Sequence, residues 1–200
     1  MTDPVIIAGG GANIASLQFA LERLGQHAEL SADPARIARA THVILPGVGA
    51  AADGMARLTA AGLDRLLPAL RQPVLGICLG MQLLFEASDE GDVRCLGILP
   101  GRARRFAATV GPVPHMGWSR LWPLGPHPLL EGIGNDDWAY FVHSYALGPG
   151  PATIATGDYG GPFSAVVSCG NFHGTQFHPE RSAATGARLL ANFLGLSGWS

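Results

Sequence analysis

Gly76-Ile77-Cys78-Leu79-Gly80 follows the apolar run Pro73-Val74-Leu75 and opens an amphipathic stretch from Met81 to Phe85. A strand therefore turns into a helix at a cysteine framed by glycines two residues to either side, the thiol form of a nucleophile elbow. Small neighbours permit a turn too sharp for side chains, which lifts the sulfur clear of the sheet. The helix opening at Leu79 directs unpaired N–H groups and a positive dipole end at the thiol, a setting that favours thiolate. Much further along, Gly174-Thr175-Gln176-Phe177-His178-Pro179-Glu180 offers a general base and a carboxylate. On an extended segment residues two apart point the same way, so Glu180 can lie beside the His178 ring while Pro179 stiffens the link. Such a carboxylate holds the tautomer and stabilises the imidazolium that forms. Cys78 as nucleophile, His178 as base and Glu180 as orienter read as an enzyme of acyl transfer.

That chemistry also needs donors aimed at a developing oxyanion. The Leu79 backbone N–H, first in the helix, is one candidate. The turn Pro46-Gly47-Val48-Gly49, at the end of a neighbouring strand, offers the second from Val48 or Gly49. Glycines alone do not separate such a loop from an ordinary strand-to-helix turn.

Outward from the elbow, the first ninety or so residues alternate short apolar runs with helical patterns, as βαβ units do. Strands are predicted at Val5–Ala8, near His27–Leu30, at His42–Leu45 and at 73–78. Between them lie a helix from Asn13 ending at Gly25, one from Asp33, and a stretch from Ala52 to Leu70 broken near Gly62. The second half reads as strands at Leu96–Leu99, around Val113–Met116, Arg120–Trp122, Ala139–Tyr145, Thr153–Thr156, Ala165–Ser168 and Phe172–Phe177. A closing helix covers roughly Ala183–Leu194. The expected fold is α/β, one domain over residues 1–200, with a mixed, mostly parallel central sheet flanked by helices. The nucleophile falls at the carboxyl edge of a central strand.

Composition narrows the chemistry. Apolar residues make up 48% of the 200 and charged ones 14%, so the core is generous and the charged surface thin. A formal charge of −2 gives no electrostatic reason to expect nucleic acid or an anionic membrane as partner. All thirteen basic residues are arginine, which excludes Schiff-base chemistry, a Walker-type phosphate lysine and a lysine base. The three cysteines are widely spaced, without a disulfide framework or zinc pattern, as suits reduced thiols in the cytoplasm. Cys95 and Cys169 read as small buried hydrophobes. Neither a signal peptide nor a membrane span is expected.

Other motifs carry less. Gly9-Gly10-Gly11-Ala12 keeps two glycines of a dinucleotide loop, with Glu29 near the place of a ribose-binding acid, but has Ile14 where the third glycine belongs. Close backbone approach is the preferred reading, and no cofactor is expected. Arg102, Arg104 and Arg105 read as a solvated face. His115, His143 and His173 lack the spacing of a metal site.

The elbow and the His-Pro-Glu segment together resemble the class I glutamine amidotransferases. Within that class, Pro46-Gly47-Val48-Gly49-Ala50, Pro114-His115-Met116-Gly117-Trp118 and Tyr140-Phe141-Val142-His143-Ser144-Tyr145 are similar to the glutaminase subunits of imidazole glycerol phosphate synthase. The resemblance implies that Cys78 attacks the side-chain amide of glutamine and that Gly49, Gln82 and the Ser144-Tyr145 backbone hold the substrate. It also implies that ammonia passes to a (β/α)8-barrel cyclase partner in histidine biosynthesis, with Asn13, Trp118, Tyr140 and Arg181 facing that partner. The chain departs from the family pattern in its first loop, at Ser119 where asparagine is common, and at Arg181 where lysine is common. Rival readings are a glutaminase of another synthase, such as that of pyridoxal phosphate synthesis or an anthranilate-type enzyme; a cysteine hydrolase; and a binding module that uses the glycine loop.

Overall fold

The structure, a computed structural model, describes residues 2–8 and 13–198. The Gly9–Ala12 loop, with its partial dinucleotide motif, lies outside the described residues. In chain order the first half is β1 (Pro4–Ile7), α1 (Ile14–Glu22), β2 (Glu29–Ser31), α2 (Pro34–Arg39), β3 (His42–Gly47), α3 (Ala51–Ala60), α4 (Leu63–Leu66), β4 (Val74–Cys78) and α5 (Leu79–Leu83). There follow β5 (Phe85–Ser88), β6 (Val93–Arg94), β7 (Leu99–Arg105), β8 (His115–Arg120), β9 (Trp122–Pro123), β10 (Trp138–His143) and β11 (Tyr145–Ala146). The chain closes with β12 (Thr153–Asp158), β13 (Pro162–Cys169), β14 (Phe172–Thr175) and α6 (Ala183–Leu194).

An eight-stranded sheet in the order β2-β1-β3-β4-β14-β13-β12-β9 forms the frame. Its first five strands run parallel and the last three antiparallel, the mixed α/β sheet expected. Strands covered on both faces need apolar residues at every position, and β1 and β4 are buried throughout. Successive side chains point to opposite faces. Ile6, Ile44, Leu75 and Ile77 pack with α1 and α6, whereas Val5, Ile7, Val43 and Val74 pack with α2, α3 and α5. Local signals start and stop the helices. Asp33 accepts the Ala35 N–H at 2.9 Å ahead of Pro34, and Gly62, with φ at 69°, breaks the stretch between α3 and α4.

Several expectations shift: the predicted strands Arg120–Trp122 and Ala139–Tyr145 are each interrupted, at Leu121 and at Ser144. The apolar run 96–99 does not extend as a strand, because the N–H groups of Leu96, Ile98 and Leu99 satisfy the open carbonyls of Leu83 and Leu84 at the end of α5. The strand lies further on, in the arginine-rich β7, which buries Ala103 but turns its charged residues outward. The apolar stretch after the elbow likewise ends its helix at Leu83, and Phe85 begins β5 in a small four-stranded sheet, β11-β7-β5-β6. A separate two-stranded ribbon pairs β8 with β10. Among the described residues no helix is long and apolar enough to cross a membrane.

Candidate active site

Cys78 ends β4 and caps α5 with φ 54° and ψ −111°, a left-handed backbone that a side-chain-bearing residue holds only under strain. The flanking glycines are there for close approach. A Cβ on Gly80 would sit 1.8 Å from the Leu45 carbonyl oxygen, and one on Gly76 would sit 2.6 Å from the Gly80 carbonyl oxygen. Strand, turn and helix therefore meet backbone to backbone.

Topology gathers the remaining groups. β14 runs parallel beside β4, with Gly174 opposite Gly76 and Thr175 opposite Ile77, so the chain continues past the sheet edge to bring His178 alongside Cys78. On the other side β3 pairs with β4 and sets Gly47 opposite Cys78, which delivers the Val48-Gly49 turn. Cys78, Leu79, Gln82, Val48, Gly49, Ser144, Tyr145 and His178 all border one pocket of about 390 Å³. Gly49 has φ 88°, and Leu79 opens α5 directly after Cys78.

The predicted base and carboxylate are in contact. His178 Nδ1 lies 2.9 Å from Glu180 Oε1, and both side chains are almost fully buried. Burial opposes charge on the His178 ring, but Cys78 and Glu180 together outweigh it and push the histidine up to about 10. The imidazolium is therefore the resting form near neutral pH.

Several groups that the sequence reading passed over build this site. Gln176 Nε2 donates to Cys78 Sγ at 3.7 Å, while its Oε1 accepts from Gln82 Nε2 at 2.9 Å. Gln82 Nε2 also donates to the Tyr145 carbonyl at 2.8 Å, which leaves the Gln82 carbonyl oxygen as its remaining polar atom. Ser182 Oγ donates to the His178 carbonyl at 2.7 Å and accepts from the Tyr140 N–H at 2.9 Å, and the His178 N–H reaches the Tyr140 carbonyl at 3.0 Å. Ser182 thereby locks His178 to β10. Burial lowers the His143 ring to about 3; it stays neutral and bonds the Tyr145 carbonyl through Nδ1 at 2.8 Å. A serine or glutamine carries no local pattern that announces such a role.

Of the four positions compared with a partner-facing surface, three adjoin. Trp118 and Tyr140 are paired across the β8–β10 ribbon with ring centroids 5.9 Å apart, and the Arg181 guanidinium lies 4.5 Å above Tyr140. Trp118 and Met116 are exposed on that face, at 48% and 64%. Asn13 instead turns its amide onto Glu180 Oε1 at 2.9 Å.

The other candidates are used structurally. Glu29 pairs with Arg36 at 2.6 Å, and Arg102 with Asp89 and Asp92. His115 stacks on Tyr159 and Phe141, and His173 bonds Ser168. Cys95 is half-buried, its thiol pushed up to about 11 by burial. Cys169 corrects the expectation of a buried thiol: it is exposed, because it is the last residue of β13 before the turn at Gly170.

Residues 12–195 match the family model for glutamine amidotransferase class-I. The chain is 54% identical over 198 residues to the imidazole glycerol phosphate synthase subunit HisH of Xanthomonas axonopodis pv. citri, covering 98% of this chain and 99% of that one. It is equally similar, over 197 residues, to the same-named subunit of Xylella fastidiosa, with 97% and 98% covered. Among solved structures, a crystal structure of a glutamine amidotransferase superposes with TM-score 0.75 at 21% identity, over 96% of this chain and 97% of that one. The glutaminase domain of Trypanosoma brucei CTPS with bound acivicin does so with TM-score 0.69 at 16% identity, over 100% and 97%. The chain thus belongs to the class-I glutamine amidotransferases and, within them, to the family of imidazole glycerol phosphate synthase subunit HisH.

Proposed function

We propose that this chain is the glutaminase subunit of an imidazole glycerol phosphate synthase, with Cys78, His178 and Glu180 as its triad. The observation that carries the reading is a cysteine on a strained elbow beside a histidine held by a buried carboxylate, in one pocket. The Cys78 sulfur attacks the side-chain carbonyl carbon of glutamine, and the new oxyanion takes hydrogen bonds from the Leu79 N–H and the Val48-Gly49 turn. The C–N bond breaks as His178 gives its proton to the departing nitrogen, leaving ammonia and a thioester. Water, deprotonated by the now neutral His178, cleaves the thioester to glutamate, frees the Cys78 sulfur and leaves His178 protonated again. Gly49, Gln82 and the Ser144-Tyr145 backbone hold the glutamine, the last two drawn together by the Gln82 bond to the Tyr145 carbonyl.

Ammonia then passes to a (β/α)8-barrel cyclase in a cytoplasmic heterodimer, where it becomes part of an imidazole ring. The Trp118-Tyr140-Arg181 surface beside the pocket supports docking there. The relatives named for this synthase, matched end to end, favour it over pyridoxal phosphate or anthranilate-type partners.

Ammonia release from glutamine tests the proposal, first with the chain alone and then with a candidate cyclase and its ribotide ligand. Slow hydrolysis alone, acceleration on adding both, and loss of both rates in Cys78→Ala are expected. Turnover of peptides without a partner, or copurification with a partner that is not a phosphosugar-binding barrel, would overturn it.

A further inference from the structure

Asn13 and His178 share one oxygen of Glu180. Asn13 Nδ2 donates to Oε1 at 2.9 Å, and His178 Nδ1 meets the same atom at 2.9 Å. Among the described residues the second oxygen, Oε2, is buried without a hydrogen-bond partner. We propose that Asn13 is a positioning residue of the triad, its amide fixing the Glu180 carboxylate so that Oε1 faces the imidazole.

The diversion of the Asn13 side chain is the first reason. Asn13 occupies the N-cap of α1, and its carbonyl accepts the first helical bond from the Leu17 N–H at 3.0 Å. Asparagine at that position ordinarily turns its side-chain oxygen onto the helix N–H groups. Here it makes no cap bond and reaches Glu180 instead. The helix forgoes a local bond for a contact 167 positions away in sequence.

Chemistry of the carboxylate is the second reason. Glu180 has several rotatable bonds and a nearly fully buried side chain, and its own short turn gives neither oxygen a donor besides His178. Beside it lies a cavity of about 20 Å³ lined by Ile14, Leu17, Pro46 and Ile77, space in which a loosened carboxylate can swing. A carboxylate only accepts hydrogen bonds, so the amide N–H must face it. A neutral donor holds it without competing as a cation for the charge that stabilises the imidazolium.

This inference rests on the glutaminase reading for its kinetic arm only. Variants Asn13→Ser, Asn13→Ala and Asn13→Asp are assayed for ammonia release with cyclase and ligand, alongside the pH dependence of Cys78 alkylation by iodoacetamide. Asn13→Ser restores an N-cap oxygen to α1 and so separates helix capping from carboxylate positioning. Expected for Asn13→Ser and Asn13→Ala is a kcat lowered about ten- to a hundredfold, the scale of one lost hydrogen bond to a charged group. The KM for glutamine stays within about twofold, the pattern of a lost transition-state interaction, and the alkaline limb of the alkylation profile moves to lower pH. Asn13→Asp sets two carboxyl groups side by side, so it regains activity only on the acid side, where a shared proton restores the donor. An unchanged kcat and alkaline limb in folded Asn13→Ser, or a change confined to KM or to thermal stability, would overturn the proposal. Absence of any glutamine hydrolysis by the parent protein would instead sink the glutaminase reading, and the alkylation profile would then decide the role of Asn13 by itself.

Discussion

Gly47 and Cys78 stand opposite each other in the parallel ladder between β3 and β4. That pairing brings the Val48-Gly49 turn to the Cys78 elbow and leaves no room for a side chain at Gly47 itself. A Cβ on Gly47 would lie 2.6 Å from the Gly80 nitrogen and 2.8 Å from the Leu79 Cβ. The elbow and its neighbouring turn are therefore one packed unit.

Gly80→Ala tests that packing. The added methyl meets the Leu45 carbonyl oxygen at 1.8 Å, a backbone atom in the middle of the sheet that cannot yield without moving β3. Destabilisation of about 3 kcal/mol or more is expected, read from denaturant unfolding. A loss under about 1 kcal/mol would mean that the sheet accommodates the helix freely.

Gly49→Ala separates conformation from volume. Among the described residues nothing lies within 4 Å of a Cβ there, but φ is 88°. The substitution should cost only about 1–2 kcal/mol of stability for the left-handed backbone. If the turn supplies an oxyanion donor, shifting it lowers kcat about a hundred- to a thousandfold in the presence of partner and ligand. A fully active, folded Gly49→Ala would remove the turn from the mechanism and spare the triad.

Ser182→Ala removes a clamp rather than a reacting group. Two bonds are lost, one to the His178 carbonyl and one from the Tyr140 N–H, and the latter donor is left without its partner in a part-buried place. A stability loss of about 1–3 kcal/mol is expected. Because the clamp joins the base to the ribbon carrying Trp118 and Tyr140, activation by the cyclase should fall more than the basal rate. Equal losses in both rates would count against coupling through Ser182.

Buried histidines set opposite pH limbs for stability. The folded-state value for His178, about 10, lies above the ordinary 6.5, so its charge stabilises the fold fully below pH 6.5 and the gain fades as pH climbs through 10. His173 is lowered by burial to about 4, so stability is complete above pH 6.5 and declines as pH falls towards 4, where the unfolded chain takes up a proton that the folded one refuses. Melting temperatures across this range should fall on both sides. His173→Asn lessens the acid limb, to which the buried His143 also contributes, and leaves the alkaline limb unchanged, whereas His178→Gln flattens the alkaline limb alone; an unaltered acid limb in His173→Asn would exclude that histidine as one of its sources.

Much of this architecture was legible because its cues are local. The glycine-framed elbow, the Asp33-Pro34 helix start, the break at Gly62 and the closing helix over 183–194 all rest on neighbouring residues, and the structure has each of them. The small sheet was misread where local cues mislead. The apolar run at 96–99 looks like a strand until the end of α5 claims its N–H groups, and β7 looks like surface because one face of it is.

From the amino-acid order alone came the elbow, the alternation of strands and helices, and the pairing of His178 with Glu180 two residues on, since each depends on bond geometry and side chains within a few positions. Tertiary structure decided that β14 lies beside β4, that Ser182 and Gln176 face the site, and that Asn13 leaves its own helix for Glu180. Those contacts join residues far apart in the chain. Their partners are selected by which strands share a ladder and which volumes remain to be filled, and no short stretch of sequence contains that information.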